Sequence, residues 1–413
     1  MTSFSALSHP LSGSGFPAPG TPGANFWRAV LTLAVVLVLL ATTGWTAIRE
    51  DSAPGPYAAG LLAWEKGSIA GRQLPGPDEK PGTVARFLRS LSAGQQQRLA
   101  DRYPLVVGNL GGAPAELRYR ANHKALLEAR DVERKRVTDE RLTDEGRHSA
   151  SRRMHRFESM LKPGRQILAF DPTGRGRAAE VFGDLDEARR VSVVVPGVDT
   201  DLVTFERSDR PYSAPAGMAR ALQDRQRSAA PGVPTATVAW ADYTAPTGLG
   251  VEAASGHLAE DGAERLTDFV HGLRNSRISL FCHSYGSVVC GDAADELPGR
   301  VGDIAVSGSP GMRVDAAADL GTKARIWAVR DRDDWIADVP HMEVGGLGHG
   351  ADPLSSAFGA RRLSADGAIG HTGYYVPGTG SLDNFADIAT GSYSAVDCAS
   401  SDPGCLGSSN RSV

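Results

Sequence analysis

The second half of the chain alternates short apolar runs with helical segments, and this alternation limits the fold more than any other feature. The run at residues 191–195 is mostly β-branched, as expected of a strand that is buried on both faces. The same pattern predicts further strands at residues 235–240, 277–282, 303–306 and 323–330, separated in part by helices at residues 214–227, 258–273 and 285–296. Alternation at these lengths predicts a mainly parallel sheet with helices on both faces, which is an α/β fold.

Two shorter runs precede this pattern, at residues 166–170 and 179–182. They are joined through a Pro-Thr-Gly segment, so they predict a β-hairpin that opens the α/β domain. We place this domain at residues 166–395. The remaining residues, 396–413, are rich in Ser and Gly, and we predict a flexible C-terminal tail.

One loop of the predicted sheet carries a candidate nucleophile. Residues 281–290 read FCHSYGSVVC and place Ser284 where a strand ends and a helix begins. Gly286 stands two residues after the serine, and Cys282 stands two residues before it. This is the G-x-S-x-G pattern of a nucleophile elbow with a cysteine in place of the first glycine. The pattern predicts that Ser284 is held in a strained turn that presents its hydroxyl.

A serine hydroxyl needs a base, and the base needs an orienting acid. In α/β-hydrolases these residues follow the serine in the chain order acid, then histidine. The strand that ends at Arg330 runs into DRDDWIADVP, in which four aspartates are acid candidates. We predict Asp334, because the following Trp335 and Ile336 can seat the loop and turn the carboxylate inward, with Asp333 as the alternative. All four aspartates would also fit solvated loop charges or helix caps.

Three histidines lie beyond the acid and are candidates for the base. His371 stands in IGHTGYY, a Gly-flanked loop far enough past the last predicted strand to fold back over the serine, and we predict it as the base. His341 follows the aspartates too closely to reach the serine easily, and we predict His349 to be a wall of the pocket. His283 directly precedes the serine, and we predict it to be a supporting residue.

The oxyanion of an acyl-transfer intermediate needs two N–H donors. We predict Tyr285, which follows the serine, and Val198 in the loop PGVDTD, with Asp199 as an alternative to Val198. This loop would equally fit an ordinary strand-to-helix turn. Ser309 lies in a comparable frame, but Pro310 follows it and has no N–H to donate, so Ser309 is rejected.

With these residues in view, the chain from about residue 104 to residue 375 resembles a family of uncharacterised bacterial α/β-hydrolases. The stretches that carry the resemblance are VVGNLGGAPAELRYRAN, VVVPGVDT, VAWADYTAP, CHSYGSVV, SGSPG, GGLGHGADP and GHTGYY. The resemblance implies the hydrolase fold with a helical N-terminal addition and a triad of Ser284, Asp334 and His371. The chain departs from the family at Cys282, where glycine is usual, and at Asp242, where a small residue is commoner.

The N-terminal part of the chain predicts export. Residues 1–24 are rich in Ser, Pro and Gly and predict a disordered tail. Residues 29–48 carry no formal charge and are about long enough to cross a bilayer as a helix, so we predict a transmembrane helix within residues 25–49, with a cleaved signal peptide as the alternative. The predicted location is the cell membrane, with the catalytic domain outside the cytoplasm, or secretion.

Two segments connect this part to the α/β domain. Residues 50–82 are punctuated by Pro and Gly, and we predict a linker with little regular structure. Residues 83–165 predict a helical N-terminal region with one or two long amphipathic helices after a turn-rich loop at residues 104–114. The basic cluster at residues 134–136 fits a solvated helix face better than a site for anionic lipid.

The four cysteines predict two kinds of environment. Cys282 and Cys290 have apolar neighbours and are predicted to be buried thiols. Cys398 and Cys405 lie in the tail, where an exported chain could close a small disulfide loop. Neither metal-ligand spacing nor a nucleotide fingerprint is present, so we predict no cofactor. The formal net charge of -4 argues against nucleic acid as a partner.

These observations predict a serine hydrolase that cleaves carboxylic esters or thioesters through an acyl-enzyme. The expected partners are a small-molecule or lipid ester and, through the N-terminal segment, a membrane. The same triad would also serve an acyltransferase or a peptidase. The third interpretation is a catalytically silent binding or envelope protein that retains the fold.

Overall fold

The computed structural model of the 413-residue chain describes residues 55–275, 277–402 and 405–406. The predicted N-terminal tail, residues 1–24, and the predicted membrane or signal segment, residues 25–49, lie outside the described residues. Of the helices that the structure describes, none combines the length and the apolar character needed to cross a bilayer.

The centre of the molecule is an eight-stranded sheet. Counting two small hairpins as well, the strands in chain order are β1 Ser68–Ile69, β2 Arg72–Gln73, β3 Gln166–Asp171, β4 Arg177–Gly183, β5 Arg190–Val195, β6 Thr235–Ala241, β7 Arg277–His283, β8 Val301–Ser307, β9 Arg325–Val329, β10 Glu343–Val344, β11 Leu347–Gly348 and β12 Arg361–Arg362. The sheet order is β12-β9-β8-β7-β5-β6-β4-β3. Strand β4 is antiparallel to both neighbours and all other pairs are parallel, which confirms the predicted α/β fold.

The helices precede the sheet, connect its strands or, in the case of the last one, follow its final strand. They are α1 Pro56–Glu65, α2 Pro81–Arg89, α3 Ala93–Arg102, α4 Pro104–Asn109, α5 Ala115–Val137, α6 Asp144–Met160, α7 Pro215–Ala229, α8 Val251–Ala254, α9 His257–Gly272, α10 Gly286–Ala293 and α11 Gly380–Thr390. Short 3-10 helices lie at Pro211–Ser213, Ala317–Leu320, Trp335–Asp338, Gly370–Tyr375 and Tyr393–Ala395.

Two apolar clusters cover the two faces of the sheet. Leu280 and Cys282 of β7 belong to a cluster with α9 and α10, whereas Phe281 between them belongs to a cluster with α7 and α11. Successive side chains of a strand point to opposite faces, so the two clusters lie on opposite sides of the sheet. The central strands are buried on both faces, as the apolar run at residues 191–195 predicts.

The predicted linker at residues 50–82 is wrong in its described part, because helix α1 and the β1–β2 hairpin lie within it. Trp64, near the end of helix α1, is fully buried. Its indole Nε1 donates a hydrogen bond to the carbonyl oxygen of Pro75 at 2.7 Å. One large aromatic side chain therefore orders a segment whose Pro and Gly content suggested a coil. Similarly, the predicted loop at residues 104–114 begins with α4, in which Pro104 occupies a first-turn position that needs no N–H.

The predicted flexible tail at residues 396–413 is also wrong where the structure describes it. Cys398 and Cys405 form a disulfide, and Cys405 is buried. Cys398 pairs with Leu363 in a β-bridge, and Arg361 donates a hydrogen bond to the carbonyl oxygen of Cys405 at 2.8 Å. These contacts attach the described part of the segment to the edge of the sheet beside β12.

Candidate active site

The turn between β7 and α10 holds Ser284 in an unusual backbone conformation. Its φ angle is +55°, in the left-handed region that residues with a side chain rarely adopt. The Ser284 N–H donates a hydrogen bond to the carbonyl oxygen of Ser307 on β8 at 2.9 Å. A Cβ atom added to Gly286 would lie 2.3 Å from the carbonyl oxygen of Val195, so only glycine fits where the new helix passes β5.

Three predicted residues meet at this turn. The Nε2 atom of His371 lies 2.9 Å from the Ser284 hydroxyl oxygen, and its Nδ1 atom lies 2.9 Å from Oδ1 of Asp334. Ser284 follows β7, Asp334 follows β9, and His371 lies in the 3-10 helix Gly370–Tyr375 beyond β12. The carboxyl ends of these parallel strands share one edge of the sheet, which is why residues far apart in the chain come together.

The Asp334 carboxylate is buried and fully engaged. Burial by itself raises the pKa of a carboxyl group. Hydrogen bonds from His371, from the Tyr374 hydroxyl and from the Ile336 N–H outweigh burial and hold the pKa of Asp334 below its ordinary value. Burial and the hydrogen bond to Asp334 together raise the pKa of the Tyr374 hydroxyl. The site therefore holds a charged carboxylate beside the histidine at neutral pH.

The other aspartates of this loop have different environments. Asp333, the alternative acid, is exposed, and its carboxylate pairs with Arg332 at 3.6 Å. The carboxylate of Asp331 accepts a hydrogen bond from the Gly370 N–H at 2.7 Å, which ties the loop after β9 to the loop that carries His371. Of the two acid candidates, only Asp334 contacts His371.

The remaining histidines are held by other partners. His341 Nδ1 lies 3.0 Å from the carbonyl oxygen of Pro310, and His349 Nε2 lies 2.7 Å from that of Ala253. His283 Nε2 lies 2.7 Å from the carbonyl oxygen of His371 itself. Burial, with the neighbouring His371, lowers the pKa of His283 to about 3, so its neutral ring donates from Nε2 and holds the backbone of the histidine loop.

The loop after β5 closes on the serine from the other side. A Cβ atom at Gly197 would lie 2.6 Å from the Ser284 Cβ, so the backbone of this loop touches the serine directly. The N–H of Asp199, the alternative donor, is already bonded to the carbonyl oxygen of Pro246 at 2.9 Å. Within the described residues, the N–H groups of Val198 and Tyr285 donate to no protein acceptor. Both predicted donors are therefore free for another acceptor.

Two neighbours of the site were missed by sequence reasoning. Gly308 has a φ angle of +54°, and a Cβ atom there would lie 2.9 Å from Oδ2 of Asp334 and 3.0 Å from Nδ1 of His371. The half-exposed ring of Trp335 packs on the His371 ring with centroids 4.6 Å apart. Gly308 stands in the SGSPG segment, and its sequence carries no signal that this glycine contacts Asp334 and His371.

The predicted free thiols of Cys282 and Cys290 are wrong, because the two residues form a disulfide. Both are fully buried and lie in the cluster between β7 and α10. Cys282 occupies the position where the elbow pattern has glycine, and its side chain fits because the facing helix supplies the sulfur to which it bonds. The disulfide therefore links the strand before Ser284 to the helix after it.

Residues 171–344 match a family model described as alpha/beta hydrolase. This range contains the turn at Ser284 and the strands β4 to β9. This part of the chain has the α/β-hydrolase fold. Among the residues that the structure describes, no group of three or more His, Cys, Asp or Glu side chains is arranged to hold a metal ion.

Two curated relatives of this chain are uncharacterised proteins of Mycobacterium tuberculosis, from the strains CDC 1551 and H37Rv. Each is 27% identical over 383 residues, covering 77% of this chain and 57% of the relative. The chain thus spans a little over half the length of these relatives.

Solved structures with lower identity include a predicted CIB-like hydrolase from Thermoplasma acidophilum and a dienelactone hydrolase from Anabaena variabilis. The first is 15% identical with a TM-score of 0.35, covering 55% of this chain and 95% of its own. The second is 16% identical with a TM-score of 0.33, covering 55% of this chain and 96% of its own.

Proposed function

We propose that the protein is a serine hydrolase that cleaves carboxylic esters or thioesters through an acyl-enzyme. The observation that carries the proposal is the row of hydrogen bonds from Ser284 through His371 to Asp334. A nucleophile, a base and an orienting acid in this order are the arrangement that acyl transfer to a serine requires. The α/β-hydrolase domain adds support, because this fold carries such a serine on a strand-to-helix turn.

In the proposed reaction, His371 Nε2 removes the hydroxyl proton while the Ser284 oxygen bonds to the acyl carbon. The electron pair of the carbonyl moves to its oxygen, and the N–H groups of Val198 and Tyr285 bind the resulting oxyanion. Each such donor lowers the barrier by roughly 3 kcal/mol. The bond to the leaving group then breaks, and His371 returns the proton to the departing alcohol or thiol. Water repeats the sequence and releases the acid.

Asp334 has a separate task in this proposal. By accepting the Nδ1–H hydrogen bond, its carboxylate selects the tautomer of His371 whose Nε2 can accept a proton. It also stabilises the imidazolium that forms in the transition state. The low pKa of Asp334 supports this role, because the carboxylate must stay charged while the histidine gains its proton.

The test is labelling of the full chain with a fluorophosphonate, which reacts with activated serines. We expect the wild type to be labelled and the Ser284→Ala variant to be unlabelled, with Ser309→Ala as a matched control that keeps its label. Aryl esters and thioesters of increasing acyl length then measure hydrolysis. Persistent labelling of Ser284→Ala, or no labelling of a folded wild type, would overturn the proposal.

We also propose that the domain works outside the cytoplasm, anchored by or released from the segment at residues 25–49. Two disulfides support this, since such bonds persist in oxidising compartments and are rare in the cytosol. Fractionation of cells, with thiol labelling under denaturing conditions, provides the test. Recovery of the protein in the cytosol with four free thiols would contradict the proposal.

A further inference from the structure

Exposed large apolar side chains are concentrated at one end of the described structure. The described residues include nine of them, of which Leu62 and Val132 lie on helices α1 and α5. The other seven follow the carboxyl ends of β6, β9 and β12, and we call them the apolar rim: Leu249, Val251, Trp335, Met342, Leu347, Ile369 and Val376. Single exposed apolar residues are ordinary, but a group of them marks a surface that binds something.

The apolar rim lies at the same edge of the sheet as Ser284. Strands β6, β7, β9 and β12 run parallel, so the segments that follow them leave from one edge. Part of the rim reaches the site directly, because the Trp335 ring packs on the ring of His371 and Ile369 stands two residues before that histidine. An apolar surface therefore borders the serine.

Polar contacts hold the two segments that carry Leu249, Val251, Met342 and Leu347 in place. A β-bridge joins Ser255, next to helix α8, to Leu347 of the β10–β11 hairpin. Two contacts anchor the hairpin. The Arg313 guanidinium lies 3.6 Å from the Glu343 carboxylate, and His349, which follows the hairpin, contacts the Ala253 carbonyl oxygen. The side chains of the four rim residues remain at least half exposed, with Leu347 at 51%. A fixed framework thus presents apolar groups to the outside.

The charged side chains between the rim residues indicate which kind of surface the apolar rim can bind. Five carboxylates on the rim segments are exposed, and two of them, Asp333 and Glu343, pair with arginines. The other three are Glu252, Asp338 and Asp366. Arg332 is an exposed cation on the same segments, and it pairs with Asp333. Binding to anionic lipid depends on exposed Lys and Arg, so this edge of the sheet would repel such a surface. An uncharged apolar phase does not meet this repulsion.

We infer that the apolar rim docks on the surface of an aggregated, uncharged ester, such as an emulsified neutral acylglycerol, and so brings its acyl groups to Ser284. This names a substrate class for the site and rests on the proposed hydrolase function. The docking itself depends on the exposed side chains and not on the triad. The two can therefore fail independently.

The first experiment compares an emulsified neutral triacylglycerol with a dissolved short-chain aryl ester, using the full chain. We expect the double variant Met342→Ser/Leu347→Ser to lower turnover of the emulsion about ten-fold more than turnover of the dissolved ester, because exposed apolar area is lost. Leu62→Ser and Val132→Ser are the matched controls, since they remove equally exposed apolar groups elsewhere. Equal losses on both substrates, or a control that behaves like the rim variant, would overturn the inference.

The second experiment removes catalysis and observes docking alone. In the Ser284→Ala background, an environment-sensitive dye is attached to Leu347→Cys or, as the control, to Val132→Cys. We expect the emission of the dye at position 347 to shift to the blue on addition of the neutral emulsion, and that at position 132 to stay unchanged. A shift at 347 without any hydrolysis by the wild-type serine would retain the docking surface and reject the proposed function.

Hydrolysis of the dissolved ester with no shift at position 347 would retain the proposed function and reject the docking surface. A stronger shift with vesicles of anionic phospholipid than with the neutral emulsion would reject the choice of an uncharged surface. Residues 29–48 are the same in every variant, so differences between dye positions and between substitutions report on the rim alone.

Discussion

Two neighbouring turns each place a buried serine just beyond a parallel strand. After β7, the Ser284 hydroxyl contacts His371, and the N–H of the next residue, Tyr285, has no acceptor among the described residues. After β8, the Ser309 hydroxyl is bonded to the Ser287 hydroxyl at 2.7 Å and to the backbone of Gly311. Placement at the end of a strand therefore does not by itself define a nucleophile. A nucleophile is defined by the partners of its hydroxyl group and by the backbone N–H that follows it.

The second turn nevertheless shapes the first. Its Ser307 carbonyl oxygen accepts the Ser284 N–H, and its Gly308 lies against Asp334 and His371. The turn after β8 thus supplies backbone to the site of its neighbour and contributes no reacting side chain.

The largest expected effect comes from the two serines themselves. Ser284→Ala should lower kcat for an aryl ester on the order of 10⁶-fold, the scale seen when a triad serine is removed. Ser309→Ala should change kcat only slightly, because its hydroxyl bonds to Ser287 and Gly311 and to none of Ser284, Asp334 and His371. Steady-state kinetics on both purified variants measures this. A loss for Ser309→Ala similar to that of Ser284→Ala would remove the distinction between the turns.

The next effect concerns the partner that makes the first turn different. Asp334→Asn should lower kcat about 10⁴-fold, because the amide favours the wrong tautomer of His371. The exposed Asp333 provides the matched control, and Asp333→Asn should stay close to the wild type. Activity that depends on Asp333 instead would assign the acid to the alternative candidate.

A smaller effect is expected from the backbone of the second turn. In Gly308→Ala, the added methyl would crowd Asp334 and His371 at a φ angle of +54°. We expect kcat to fall about 100-fold with the fold retained, since displacements near 1 Å at a reacting group have this cost. Gly299→Ala is the control, because a Cβ atom at that glycine meets no atom within 4 Å. Circular dichroism and kcat together distinguish misplacement from unfolding.

The two disulfides are expected to differ in their effect on activity. The closed loops are similar, with sequence separations of 8 and 7 residues, so replacing either cysteine pair by alanine should lower the free energy of unfolding by about 2–3 kcal/mol. Only the Cys282/Cys290 pair spans the Ser284 turn, so only its loss should also lower kcat, by about ten-fold. Urea unfolding and kinetics measure the two effects. Equal kcat for both double variants would show that the bond does not position the serine.

The smallest effect is in the pH dependence of stability. The pKa of Asp334 is lower in the folded protein than its ordinary value, so its contribution to stability is present above pH about 4 and is lost as the pH falls through the folded pKa. The difference in unfolding free energy between wild type and Asp334→Asn should therefore shrink on acidification. Urea titrations from pH 7 down to the acid limit test this, and a difference that grows would contradict it.

Much of the fold was predictable because its signals are local. The β-branched run of β5 and the alternation that follows predict a buried parallel sheet, and the antiparallel β3–β4 hairpin agrees with its turn residues. Strand β12 was not predictable, because two residues carry no period. Helix α1 was missed because the burial of Trp64 depends on contacts with helices later in the chain.

In the site, too, some features were predictable from the sequence and others were not. Chemical requirements in a fixed chain order were sufficient to choose Ser284, Asp334 and His371, which the fold brings together, while their roles in catalysis stay predictions. The contact of Gly308 with two of these residues and the bond between Cys282 and Cys290 depend on which elements pack together. Neither spacing nor composition carries that information, so both had to be learned from the structure.

The disulfide at the Ser284 turn also has an evolutionary consequence. A lone cysteine at position 282 would leave a buried thiol pressed against α10, and a lone cysteine at 290 would have no partner, since the other two cysteines bond to each other. The two sites should therefore mutate as a pair. Homologous chains with glycine at the position of Cys282 are expected to lack cysteine at the position of Cys290.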